Sequence, residues 1–244
     1  MSPVALVTGA ARGIGAATAI RFEQAGYDVV GADVLDAEDG GPVVQRCDVS
    51  DESAVAALVS DALDRHGRID ALANVAGIVL VKPLDETTWD EFMRIVEVNL
   101  GGTFLLCKHV LPAMKRQRSG AIVNMASVSG HVGQTDHVLY GATKGAILSF
   151  CRALAWEVAP WGIRVNSISP GSVDTPMLRG DVQTESERHG IPYDEIKRER
   201  ELEQALGRWA DPREIAQAVY FLASEQASFV TGTDLLVDAG WVAK

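Results

Sequence analysis

Short apolar runs recur along the chain, and most are followed by a longer stretch in which apolar residues return at helical spacing. Runs at 4–7, 29–32, 69–73, 121–126, 162–168 and 234–237, with another ending at 47–49, have the length and apolar character of buried strands. Helical stretches are predicted at 13–25, stopped by Gly26, and at 53–66, where Val55, Leu58, Val59 and Leu63 form one stripe. Further helices are predicted at 89–114 and 140–158, and Asp211 followed by Pro212 marks another start. Strands alternating with helices predict an α/β fold: a doubly wound parallel sheet of about seven strands with helices on both faces. There is no internal repeat and no linker composition, so residues 1–244 are expected to form a single Rossmann-type domain.

Three places depart from this regularity. Only fourteen residues separate Asp33 from Asp48, and 37–42 reads as a loop, so a reduced or absent helix is expected there. Asn99, Gly101 and Gly102 sit within 89–114 although Asn and Gly are poor helix-interior residues, which predicts a local irregularity that frees backbone groups for water. The segment 172–208 reads as the least regular, with Gly180, Gly190 and Pro192 breaking structure and a charged run at 194–204 taken as a solvated helix face. Its place after the sixth strand makes it a candidate lid, because ligands in such sheets lie beyond the carboxyl ends of the strands.

Candidate chemistry sits at several of the predicted strand ends. The first strand enters Thr8-Gly9-Ala10-Ala11-Arg12-Gly13-Ile14-Gly15, a glycine-rich turn opening a helix, where backbone can approach a pyrophosphate. Asp33, eighteen residues past Gly15, ends the second strand, a position from which a carboxylate can bond adenosine ribose hydroxyls. Tyr140 and Lys144 stand at i and i+4 on one helix face, with Ser127 thirteen residues upstream. A neighbouring ammonium favours the phenolate, so Lys144 is expected to pull the Tyr140 pKa down and make it an acid/base, with Ser127 holding the substrate oxygen.

Together these motifs resemble the short-chain dehydrogenase/reductase family, over nearly the whole chain. Residues 8–15 match its cofactor loop, Asn74-Val75-Ala76-Gly77 its Asn-Asn-Ala-Gly segment, and Asn99, Ser127, Tyr140 and Lys144 its catalytic tetrad. Pro170-Gly171-Ser172-Val173-Asp174-Thr175 matches its Pro-Gly motif beside the nicotinamide. The resemblance implies a dinucleotide held by Gly9, Arg12, Gly13, Ile14, Gly15, Asp33, Asn74, Ala76, Gly77, Tyr140, Lys144, Pro170, Gly171, Val173 and Thr175, with Asp48 and Val49 against the adenine. It also implies that Lys144 bonds the nicotinamide ribose, that Asn99 bends its helix and holds a relay water, and that the protein is a homotetramer.

Composition narrows the partners. Lys and Arg number 22 against 33 Asp and Glu, and the formal charge of −11 is unfavourable for nucleic acid and for anionic membranes. The chain is 47% hydrophobic without an 18-residue apolar run, and no leader is expected ahead of a strand at Val4. Cys47, Cys107 and Cys151 lack metal spacing and lie in apolar or helical runs, so buried free thiols, no metal and a cytoplasmic location are expected.

NAD is the expected cofactor, since Asp33 accepts ribose hydroxyls and repels a 2′-phosphate while Val34 brings no compensating charge; Arg12 is the counter-argument. The expected reaction is hydride transfer between nicotinamide and a secondary alcohol or ketone, with a small polar, hydroxylated molecule preferred. Pocket candidates are 78–81, 128–139 and the lid, including His131, Gln134 and His137 as substrate contacts. The alternatives are an NADPH-dependent reductase of 3-oxoacyl groups on a carrier protein, and an inactive dinucleotide-binding sensor.

Overall fold

The computed structural model describes residues 2–37 and 40–244. Its strands are β1 (Val4–Thr8), β2 (Asp28–Asp33), β3 (Val44–Arg46), β4 (Ala71–Asn74), β5 (Gly120–Met125), β6 (Ile163–Pro170) and β7 (Asp234–Val237). They form one parallel sheet in the order β3-β2-β1-β4-β5-β6-β7. The order reverses between β1 and β4, and that switch opens a crevice at the carboxyl edge of the sheet. Register keeps this edge level: Thr8 pairs with Asn74, and Asn74 with Asn124.

The helices are α1 (Gly13–Gln24), α2 (Glu52–His66), α3 (Trp89–Val96), α4 (Gly102–Gln117), α5 (Val138–Val158), α6 (Pro176–His189), α7 (Tyr193–Leu202) and α8 (Pro212–Ala223). Both faces of each central strand are covered, so side-chain alternation feeds two cores. Val4 and Leu6 of β1 pack with Leu58, Leu106 and Ile147 of α2, α4 and α5. Ala5 and Val7 face the other way, toward Phe22 of α1 and Val219 of α8. Side-chain oxygens satisfy the first-turn amides of several helices: Asp51 caps α2, and Thr88 with Glu91 and Asp211 with Glu214 form capping boxes on α3 and α8.

The third strand ends at Arg46, earlier than the pattern predicts; Cys47–Val49 continue past it toward the crevice. No helix links β2 to β3 among the described residues, as the short spacing predicts; Glu38 and Asp39 of that loop lie outside them. The break around Asn99 is a single wide turn, Glu97–Gly101, between α3 and α4. Cys47, Cys107 and Cys151 are buried and unpaired. Among the described residues no helix is long and apolar enough to cross a membrane.

The segment after β6 is more regular than expected. Gly180 does not break structure but sits inside α6; Gly190 ends that helix in the left-handed conformation at φ 66°, and Pro192 precedes α7. A small core of Val182, Ile196 and Trp209 joins the two helices. Gln204 ties them to the strand edge, accepting from the Ser172 amide at 3.0 Å and donating to the Arg208 carbonyl at 2.8 Å.

Candidate active site

One crevice runs along the carboxyl edge of the sheet, from the β2 end across the α1 N-terminus to the α6–α7 segment. Its cofactor-side lining includes Gly9, Arg12, Gly13, Ile14, Gly15, Asp33, Asp48, Val49, Ala76 and Gly77. Gly9 and Gly13 have positive φ, at 69° and 57°, which L side chains rarely adopt. A Cβ on Gly15 would lie 1.9 Å from the Gly9 carbonyl oxygen, so only glycine lets α1 start this close to its own loop. The N-cap Arg12 makes no side-chain cap, which leaves the first amides of α1 facing the crevice. Bare amides and bare backbone at a helix N-terminus fit a diphosphate.

Asp33 is fixed beside this loop. Its Oδ2 accepts from the Ala11 amide at 3.0 Å and its Oδ1 from the Leu35 amide at 3.1 Å. Each carboxylate oxygen has a second lone pair, so the group can still accept from a sugar hydroxyl. Farther along, the Asp48 carboxyl is held below the usual range, first by the Ser50 hydroxyl, against the opposing effect of burial and with help from the Ser50 amide and Arg94. These residues fit a nicotinamide dinucleotide as far as the adenosine half.

At the other end Ser127, Tyr140, Lys144, Pro170, Gly171, Val173 and Thr175 line the same crevice. Ser127 follows β5 and opens a short turn, accepting from the Ser129 amide at 3.2 Å. Tyr140 lies in the first turn of α5, and Thr175 caps α6 by accepting from the Leu178 amide at 3.2 Å.

The Tyr140–Lys144 pair differs from the arrangement that helical spacing predicts. Lys144 Nζ donates to the Met125 carbonyl at 2.7 Å and stands 5.5 Å from the Tyr140 ring centroid. Burial pushes the Tyr140 phenol up to about 12; the Ser127 hydroxyl opposes this and the negative charge of Asp181 adds to it. Burial likewise pushes the Lys144 ammonium down to about 8. Both shifts favour the uncharged forms, so the expected lowering of the phenol pKa is corrected: desolvation is the largest influence on the phenol.

Three expected site residues face elsewhere. Asn74 does not line the crevice; its Nδ2 donates to Asn124 Oδ1 at 2.8 Å, tying β4 to β5 within the core. Asn99 is also buried and off the lining; it accepts from the Ile78 amide at 2.8 Å and donates to the Ile78 carbonyl at 2.9 Å and to Thr143 Oγ1 at 3.1 Å. It therefore couples the loop after β4 to the helix of Tyr140. His131 is turned away toward the β6–β7 edge, where its Nε2 meets Asp234 Oδ2 at 2.8 Å and Ser169 Oγ at 3.2 Å.

Gln134 and His137 do line the crevice, as do Ile78 and Val79. Thr8, which opens the loop motif, accepts from the Val75 and Ala76 amides at 3.1 and 3.2 Å through its hydroxyl, and the structure adds two residues that no motif singles out, Asp181 and Arg200 of the α6–α7 segment. Among the described residues no cluster of His, Cys, Asp and Glu could hold a metal ion.

Comparison with known proteins agrees with this geometry. Residues 9–242 match the family model described as Enoyl-(Acyl carrier protein) reductase. The L-fucose dehydrogenase of Oryctolagus cuniculus is 43% identical over 97% of this chain and 84% of its own length. The cis-4-hydroxycyclohexanecarboxylate dehydrogenase of Sinomonas cyclohexanicum is 41% identical, over 98% of this chain and 96% of its own. Among solved structures, the aldohexose dehydrogenase of Thermoplasma acidophilum superposes with a TM-score of 0.94 at 33% identity, covering 100% of this chain and 95% of that one.

Proposed function

The chain belongs to the short-chain dehydrogenase/reductase family, whose members bind a nicotinamide dinucleotide, and from that premise we propose that it is an NAD-dependent dehydrogenase of small, polar, hydroxylated secondary alcohols. The observation that carries this reading is the shared crevice: Asp33 and the glycine loop at one end, Ser127, Tyr140 and Lys144 at the other. The relatives' names support the substrate class, since each is a dehydrogenase of a hydroxylated compound.

When bound, the dinucleotide supplies the hydride acceptor. The chain's residues do the rest. The α1 amides bind the diphosphate, and Asp33 accepts from the adenosine ribose. Ser127 orients the substrate oxygen by hydrogen bond, and Tyr140 takes the hydroxyl proton. Lys144, 5.5 Å from the Tyr140 ring centroid, bonds the nicotinamide ribose. Asn99 acts at one remove, holding the Ile78 loop and, through Thr143, the first turns of α5 in place.

Asp33 supports NAD over NADP because a second negative group at the 2′ position would face its carboxylate, and the next residues, Val34 and Leu35, bring no cation. The test is the rate of reduced-cofactor formation with NAD and with NADP over a panel of secondary alcohols. NAD-dependent turnover of polar alcohols is expected; turnover with NADP alone contradicts the assignment. A homotetramer is part of the same reading, supported by Trp156 of α5, 87% exposed, and Phe104 of α4, also exposed. A monomer by light scattering contradicts it.

A further inference from the structure

The α6–α7 side of the crevice carries a charged cluster for which the proposed hydride transfer has no use. Asp181 of α6, Arg200 of α7 and His137 ahead of α5 all line the crevice that holds Ser127 and Tyr140. All three are buried. The His137 ring packs edge-on to Tyr140, with centroids 6.3 Å apart, and its Nε2 meets Asp181 Oδ2 at 3.4 Å. The cluster therefore stands one imidazole away from the phenol.

Most of its polar contacts are made within the cluster or to its immediate neighbours. Arg200 directs Nη1 to Asp181 Oδ2 at 3.2 Å and donates from Nη2 to Glu185 Oε2 at 2.6 Å. His137 Nδ1 bonds the Thr135 carbonyl at 2.7 Å. Asp181 Oδ1 is buried with no hydrogen-bond partner among the described residues. A carboxylate oxygen can only accept, so this unpartnered atom calls for a donor. A ligand carboxylate has no proton to give and would meet like charge there. Ser129 and Gln134, hydrogen-bonded to each other on the same lining, add neutral partners suited to hydroxyl groups.

We propose that Asp181 is a specificity-determining residue whose free Oδ1 accepts a hydrogen bond from a second substrate hydroxyl, so that the site takes neutral polyhydroxylated alcohols and rejects alcohols that carry a carboxylate. This rests on the dehydrogenase reading and separates the two kinds of substrate named by the relatives, a neutral sugar and a hydroxycarboxylate.

The experiment measures kcat/KM with saturating NAD for cyclohexanol, cis-1,2-cyclohexanediol, L-fucose and cis-4-hydroxycyclohexanecarboxylate, with the wild-type chain and with Asp181→Asn. Wild type is expected to favour the neutral polyols over the carboxylate by about tenfold or more, as loss of a hydrogen bond to a charged group implies. In Asp181→Asn the ratio of diol to cyclohexanol should fall by about tenfold, mainly through KM, and the carboxylate should gain relative to the diol. The wild-type comparison stands even if the variant fails to fold. A wild-type enzyme that uses the carboxylate as well as the polyols, or a folded Asp181→Asn whose ratios stay within about twofold of wild type, overturns this inference and leaves the dehydrogenase reading intact. No reduced NAD from any of the four alcohols removes both.

Discussion

Lys144 donates its ammonium to the main-chain carbonyl of Met125 at 2.7 Å, at the end of β5. That contact fixes where the cation sits: within reach of the Tyr140 ring, yet committed to backbone. It also places a buried charge in the wall of the crevice, and burial pushes its pKa down from 10.5 to about 8. The sign of the effect on stability follows. Between pH 8 and 10.5 the unfolded chain still holds the Lys144 proton while the folded chain has released it, so stability rises with pH across that window. Urea denaturation without added dinucleotide should show wild type gaining up to roughly 3 kcal/mol relative to Lys144→Met between pH 8 and 10.5. A difference between the two proteins that is flat with pH contradicts the shift. Tyr140, pushed up to about 12, acts in the opposite sense above pH 10, but it is present in both proteins and cancels in the comparison.

Two glycines predict opposite outcomes. In Gly15→Ala the new Cβ falls 1.9 Å from the Gly9 carbonyl oxygen, in a loop whose Gly9 is itself within 3.0 Å of the Ala76 backbone by the same construction. Neither backbone can yield alone, so a loss of about 1–3 kcal/mol or more is expected, together with loss of dinucleotide binding by calorimetry. Gly180 is inside a helix with nothing within 4 Å of its would-be Cβ. Gly180→Ala should stabilise the protein by about 0.5–1 kcal/mol in the same denaturation assay.

Asp33 should govern cofactor choice. Asp33→Ser replaces the carboxylate that accepts from the Ala11 and Leu35 amides, and is proposed to accept from the ribose hydroxyls, with a shorter, neutral hydroxyl. Its kcat/KM with NAD should drop by roughly tenfold or more, and discrimination against NADP should shrink with it. A wild-type preference for NADP would show that Arg12, exposed on the crevice rim, decides the matter instead.

Much of this was legible because the relevant signals are local. Apolar runs four to seven residues long, glycine at the β1–α1 turn and the Asn99–Gly102 interruption each act on the backbone within a turn or two, and the sheet, the loop and the wide turn at Glu97–Gly101 follow. The failures depended on distant partners. Asn74 faces Asn124, fifty residues away in sequence, and His131 faces Asp234 across the sheet edge. The charged run in α7 read as solvated, yet Arg200 is buried because α6 brings Asp181 and Glu185 to it. One local clue existed: Ile196 and Arg200 are four apart on one helix face, and Ile196 is buried as well. Helical spacing locates Lys144 beside Tyr140 but says nothing of how much water surrounds the pair, and burial is what raises the phenol pKa.

Proton transfer by Tyr140 is the step on which the proposed activity stands. The most direct measurement compares wild type with Tyr140→Phe for kcat on a turned-over alcohol and for NAD affinity by calorimetry. The account predicts a fall in kcat of about 10²–10⁴-fold with NAD affinity nearly unchanged. A Phe variant that keeps near-wild-type kcat would contradict it.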